Sequence, residues 1–322
     1  MMSTSSGRPD TSRSACQDPK SCYRNEMSAL IRQFAISALR RLLGRADLRS
    51  YVRLRRLAFE KRMFKEPISA PQLRSAFEKL GVKAGATVWV QSSWNEFYNF
   101  PGKPSSVIDL LLDLIGPEGT LVMSAIPLKV DDCKILEIHR EPVSTGLIAE
   151  TFRRYRGVKR SIHNSSSVIA LGPRAEFLVK DHQLTETPWD PESPYQRLME
   201  ADALCVGLGV GRFLATLTPL HAVESILRHE NPDFAAIFHG STTYRWRTRE
   251  GDEGTHTYLN RNGAFDAAWL GRHYPRDQYI EFRLSNLWMW SIPARDAIMT
   301  GVSLGRRGIN MYRMPWYRRL IA

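Results

Sequence analysis

The sequence predicts an α/β protein: a layered α/β/α arrangement around a mixed, largely parallel central sheet, with a basic helical extension in front of it. Three observations carry this expectation. Past Pro67 short apolar segments alternate with segments of helical period, glycine and proline punctuate the boundaries, and 322 residues with 43% hydrophobic content suffice for a buried core without cross-links. The charged fraction of 24% excludes a disordered or fibrous chain. No stretch of about 18 apolar residues suggests a membrane-spanning helix, and the N-terminus lacks the apolar segment of a secretory signal. Cys16, Cys22, Cys133 and Cys205 form no CxxC pair, which argues against a disulfide framework or a thiolate zinc site and for a reducing cytoplasm.

Residues 1–22 are rich in Ser, Thr, Asp and Pro and are expected to form a disordered leader. Residues 23–66 form the expected basic extension. Met27, Leu30, Ile31, Phe34, Ala38 and Leu42 recur at helical period, with Arg32, Arg40 and Arg41 between them and Gly44 as a stop. A second helix is expected from Ala46 to Lys65. Residues 1–65 hold 15 basic and 5 acidic side chains, net +10, out of +12 for the whole chain. Two readings fit: a helical hairpin with a solvated charged face, or a surface adsorbed to an anionic membrane or to nucleic acid.

The main domain is expected over 67–322. Helices are predicted at Pro71–Leu80, Val107–Ile115, Gly146–Tyr155 and Tyr195–Met199. Strands are predicted at Thr87–Val90, Leu121–Met123, Val168–Leu171 and Leu204–Gly207. The Thr-, Tyr- and Arg-rich stretch 238–282 reads as an antiparallel excursion on the edge of the same sheet.

Four stretches carry candidate chemistry. In TLTPLHAVESILR, Pro219 can open a helix, and the i, i+3 spacing then places His221 and Glu224 on one face, where a carboxylate can orient an imidazole as general base. By itself the pair reads equally as a capping or surface contact. RSIHNSSSVIALG puts Arg160, Ser161 and His163 before a run of serines at a strand entry. VWVQSSWNEFYNFPGKPSSV joins a strand to a capped helix through Ser92 and Ser93. Gly207, Gly209 and Gly211 follow a strand, but their GxGxG spacing is not a dinucleotide signature and no Walker lysine follows. No GxSxG elbow supports a serine hydrolase.

Taken in order, LGVKAGATVWVQSSW, DLIGPEGTLVMSA, GLIAETFRRYRGVKRSIHNSSSVIALGPRAE, ESPYQRLMEADALCVGLGVG and TPLHAVE resemble the aminoglycoside 3-N-acetyltransferase family, with FRLSNLWMW and IPARDAI resembling its closing strand and helix. The resemblance implies an α/β/α fold, acetyl-CoA as co-substrate, no metal, and direct acetyl transfer to an amine. It implies His221 as catalytic base with Glu224 as its partner, and Ser92, Ser93, Arg160, Ser161 and Thr218 on the acetyl-CoA side. It also implies a substrate contact for His163; Arg153, Arg154, Arg156, Lys159 and Arg160 read either as a screen for the phosphates of CoA or, for most of them, as a solvated basic face. Two positions depart from the family pattern, Gln91 where a histidine is usual and Asn164 where a proline is usual.

The expected function is therefore N-acetylation of an aminoglycoside or other amino sugar. The alternative is a catalytically altered CoA- or sugar-binding homologue whose basic helices contact a membrane or partner. CoA and a small-molecule amine are the expected partners, with no nucleic acid, and with peripheral contact at the inner membrane surface through residues 27–65.

Overall fold

Alternation along β1, Thr87–Ser92, sends Val88 and Val90 to one face of a sheet and Trp89 to the other, and all three are buried. The computed structural model describes residues 48–128, 135–263 and 265–312. The chain divides into two units, Met1–Met63 and Phe64–Ala322. The expected leader 1–22 and the expected helix Met27–Leu43 lie outside the described residues. Helix α1, Leu48–Met63, occupies the span expected for the second basic helix, carries Lys61 and Arg62 in its last turn, and leaves Phe59 and Met63 exposed. No helix of the described residues is long and apolar enough to cross a membrane.

In the second unit, helix α2, Ala70–Lys79, begins with a capping box between Ser69 and Gln72 and buries Leu73, Ala76 and Phe77. Helix α3, Pro104–Ile115, returns the chain so that β2, Thr120–Ser124, lies parallel to β1 with Val88 opposite Leu121. Two short strands, β3 (Leu136–Glu137) and β4 (Lys159–Arg160), flank helix α4, Leu147–Arg153. After β5, Val168–Leu171, come helices α5 (Ala175–Val179) and α6 (Pro194–Glu200). Then β6, Leu204–Leu208, enters on the other side of β1, parallel to it, with Ser92 opposite Leu208.

The seven-stranded sheet has the order β4-β5-β2-β1-β6-β10-β9, with β9 at Ile280–Leu284 and β10 at Leu287–Pro293. It is mixed but not largely parallel. Only β1–β2 and β1–β6 are parallel, and the four outer pairings are antiparallel. The reason is local at β9–β10, where only Ser285 and Asn286 separate the strands and no parallel crossover fits. The region 238–282 differs from expectation too. Strands β7, Phe238–Arg247, and β8, Glu253–Arg261, form a hairpin in a separate three-stranded sheet with β3, and only β9 reaches the edge of the main sheet.

Two cores follow from the alternation of β1. Val88 and Val90 pack with Phe77 and Leu111, while Trp89 joins Leu220, Val223, Ile298 and Trp290. The second core includes helix α10, Ala294–Arg306, and helix α7, Ala222–Leu227. Gly301 of α10 permits their close approach, since a Cβ there would stand 2.6 Å from Val223 Cγ2. Gly207 serves β6 in the same way: a Cβ would meet the Trp290 ring at 2.1 Å. The first glycine of GLGVG is therefore explained by packing against an indole.

Candidate functional site

The parallel strands β1, β2 and β6 end on the same side of the sheet. The chain goes from β1 to β2 on one side and later to β6 on the other, so β1 and β6 flank a topological switch point, where open sheets of this kind leave a crevice. Gln91 and Ser92 close β1 at that point. Gln91 Oε1 accepts from the Thr218 backbone N–H at 3.0 Å and from Thr218 Oγ1 at 3.4 Å, tying the strand end to a 3-10 turn, Thr218–His221.

Pro219 sits in the first positions of that turn, where its missing N–H costs nothing, and the turn runs directly into α7. His221 ends the turn and Glu224 lies in the first turn of the helix. Their i, i+3 spacing brings His221 Nδ1 to 2.6 Å from Glu224 Oε1. Glu224 has no accessible surface and His221 keeps 8%. The same carboxylate oxygen accepts from Tyr312 Oη at 2.8 Å, and Tyr312 Oη accepts from Arg261 Nη1 at 2.9 Å. Burial pushes the Tyr312 phenol above its ordinary range, reinforced by the neighbouring Glu224 charge, so it stays protonated and donating. Glu224 Oε2 is buried with no partner among the described residues.

Two aromatic rings confine the imidazole. The Trp189 ring lies 5.0 Å from it, and the Phe265 ring 4.9 Å away at 88°, edge to face. Asp190, next to Trp189, fixes this loop to α7. It accepts from Ser225 Oγ at 2.5 Å and from the Thr187 N–H and Oγ1 at 2.7 Å, and lies 3.3 Å from Arg228 Nη2. Ser92 and Ser93 are half-buried at the end of β1, and the Ser93 N–H donates to Leu208 O across to β6 at 3.0 Å.

The second predicted group has another role. Arg160 gives its guanidinium to the Ile138, Glu141 and Ala125 carbonyls and to Ser167 Oγ. These bonds engage Nε, Nη1 and Nη2 with the protein, and burial pulls the guanidinium pKa down to about 10, still cationic at neutral pH. Ser161 is fully buried, accepts from the Val168 N–H at 2.8 Å and lies 2.9 Å from His182 Nδ1. His163, expected to touch substrate, has no accessible surface and is enclosed by the rings of His182, Tyr244, His256 and Tyr258. These residues build the wall behind the site. His182 Nε2 donates to Pro188 O at 2.9 Å and His256 Nε2 to Thr185 O at 2.8 Å, so the cluster holds the segment that carries Trp189.

Arg153, Arg154, Arg156 and Lys159 line a basic groove of about 850 Å³ together with Arg249 and Glu250 from the β7–β8 turn. Within it Arg153 and Arg154 both pair with Glu150, and Lys159 with Glu176. The two arginines hold the Glu150 carboxyl down at about 2. Among the described residues no cluster of three His, Cys, Asp or Glu side chains could hold a metal ion.

The sequence reading missed Trp189, Arg261, Phe265 and Tyr312. None lies in a motif with His221, and all four reach it only through the tertiary fold.

A family profile described as aminoglycoside 3-N-acetyltransferase matches residues 89–304. Aminoglycoside N(3)-acetyltransferase VIII of Streptomyces fradiae is 32% identical over 185 residues, covering 49% of this chain and 61% of that enzyme. The match thus spans less than two thirds of that relative. Among solved structures, apo aminoglycoside acetyltransferase AAC(3)-IVa superposes with a TM-score of 0.63 at 26% identity over 78% of this chain and 93% of its own. AAC-IIIb, solved as a binary complex with CoASH, gives 0.63 at 21% identity over 77% and 99%, which establishes likeness of fold.

Proposed function

The chain belongs to the aminoglycoside 3-N-acetyltransferase family, a family of acyltransferases, and on that premise we propose that it moves an acetyl group from acetyl-CoA to an amine of an aminoglycoside or other amino sugar. The buried His221–Glu224 pair is the observation that carries the reading. An ionised Glu224 can only accept, which puts the proton of neutral His221 on Nδ1 and the lone pair on Nε2. No bond to Nε2 is present among the described residues.

An acceptor ammonium gives one proton to Nε2, and the free amine then attacks the thioester carbonyl. A C–N bond forms, the C–S bond breaks, and His221 returns its proton to the departing sulfur while the second nitrogen proton leaves to solvent. Glu224 stabilises the transient imidazolium. Thr218 was a candidate donor to the carbonyl oxygen, but its N–H and Oγ1 both point to Gln91. That leaves Ser92 and Ser93, half-buried beside the turn, for the oxyanion. CoA is the donor expected of the family, and the solved CoASH complex of a protein with this fold supports it.

Thiol release from acetyl-CoA, assayed with aminoglycosides and amino sugars as acceptors, tests the reading. His221→Ala should keep CoA binding and lose about 10²- to 10⁴-fold in turnover, the contribution of a general base. Unchanged turnover in the folded variant removes His221 from the chemistry.

A further inference from the structure

A guanidinium stands one aromatic ring from the imidazole. Arg261 closes β8 half-buried, with its charge 4.7 Å from the centre of the Phe265 ring and 5.9 Å from that of Trp189, the two rings that confine His221. Its Nη1 is used by Tyr312. Its Nε is buried with no hydrogen-bond partner, and Arg261 forms no ion pair with a carboxylate among the described residues. Trp189 Nε1 is a second buried donor without a partner in the same place. Asp266, the nearest acidic residue in sequence, caps the following helix by accepting from the Trp269 N–H at 2.8 Å.

A half-buried cation with unused donors is costly until an anion meets it. Among the described residues the carboxylate hydrogen-bonded to it through Tyr312 is Glu224, already engaged by His221. A polycationic acceptor would bring its charges toward Arg261 and, after proton transfer, toward an imidazolium as well. An acceptor carrying a negative group beside its amine would instead place that group on the guanidinium and the amine at Nε2. The guanidinium lies over the Phe265 ring, 4.7 Å from its centre, and its planar fork of donors suits recognition of a phosphate or carboxylate.

We propose that Arg261 is a specificity residue and that the acceptor is an amino sugar bearing a phosphate or carboxylate. This rests on the acetyltransferase reading, so the first measurement is binding, which is independent of turnover. Calorimetry on the full chain with CoA present compares glucosamine 6-phosphate and muramic acid with glucosamine. Each anionic sugar should bind about 10- to 100-fold tighter than glucosamine, the value of a charge-assisted hydrogen bond. Arg261→Met should erase the difference by weakening the two anionic sugars far more than glucosamine, and added salt should narrow it. If Arg261→Met unfolds, Arg261→Gln supplies the same comparison. A preference for one anion alone identifies it as phosphate or carboxylate. Equal binding of charged and neutral sugars, or a preference that survives Arg261→Met, overturns the proposal. Thiol release with the same sugars is read separately: its absence with every acceptor, despite Arg261-dependent binding, would count against acetyl transfer and not against anion recognition.

Discussion

Tyr312 Oη donates at 2.8 Å to the same Glu224 oxygen that holds His221 Nδ1 at 2.6 Å. One carboxylate oxygen is therefore shared by the imidazole proposed as the base and a phenol that keeps its own proton. The phenol draws charge from Glu224 and so weakens the stabilisation of the imidazolium.

Two substitutions should consequently move the acidic limb of the pH–rate profile in opposite directions. Tyr312→Phe frees Glu224 to stabilise the imidazolium more strongly, and the limb should shift to higher pH with a loss of turnover of less than about tenfold, the value of one hydrogen bond. Glu224→Gln removes the charge, and the limb should shift to lower pH with a larger loss. Profiles of kcat/KM for the three proteins decide the matter. Shifts of the same sign would mean that Tyr312 does not act through Glu224.

The His221–Glu224 pair was legible because its geometry is local. Once Pro219 starts a helical turn, i, i+3 spacing suffices to join the two side chains. Tyr312 lies 88 residues from Glu224, and Arg261 falls between them, 51 residues before Tyr312. No periodicity links them, and only the return of the chain past α10 brings them together. The central strands were legible from their apolar runs, but strand direction was not. It depends on connections such as the two-residue Ser285-Asn286 turn, a hairpin signal lying within FRLSNLWMW. Arg160, Ser161 and His163 follow one another at a strand entry, yet nothing in their spacing tells an exposed polar loop from a buried one. Burial of His163 requires Tyr244, His256 and Tyr258 from a hairpin some 80 residues later.

Gln91 is a positioning residue. Its Oε1 is the acceptor for both donors of Thr218 at the head of the turn that ends in His221. Gln91→Ala should leave the Thr218 N–H unsatisfied and cost about 5- to 100-fold in kcat, the range for stranding a part-buried donor, with little change in KM for acetyl-CoA. Gln91→Glu keeps the acceptor and should retain more activity than Gln91→Ala. Steady-state kinetics with both variants are the check. If Gln91→Ala matches the parent in kcat, the turn is held by other contacts.

The histidine cluster behind the site should make the fold acid-labile. His163, His182 and His256 are buried, with the His163 ring against both of the others, and burial holds all three below the ordinary value of 6.5, with His182 down to about 3. The unfolded chain binds protons at these residues once the pH falls below about 6.5, whereas the native state takes them up only at lower pH, far lower for His163 and His182. The unfolded state thus binds more protons between about pH 6.5 and 3. Stability rises with pH through this window and is lost on acidification, by up to about 1.4 kcal/mol per pH unit for each fully buried histidine. His163 is the residue to remove, because its surroundings are aromatic and its Nε2 has no partner among the described residues, so that the bond lost is the Ser165 N–H to its Nδ1 at 3.2 Å. His163→Phe should cost about 1–3 kcal/mol at pH 7.5, for the stranded Ser165 N–H, and should reduce the further loss between pH 6 and pH 5 relative to the parent, read from urea midpoints at each pH. Carboxylates that titrate lower, such as Glu150, contribute equally to both proteins and cancel in the comparison. Parallel stability curves for the two proteins would show that His163 takes up protons equally well in the folded and unfolded states, and the burial argument for its neutrality would fail.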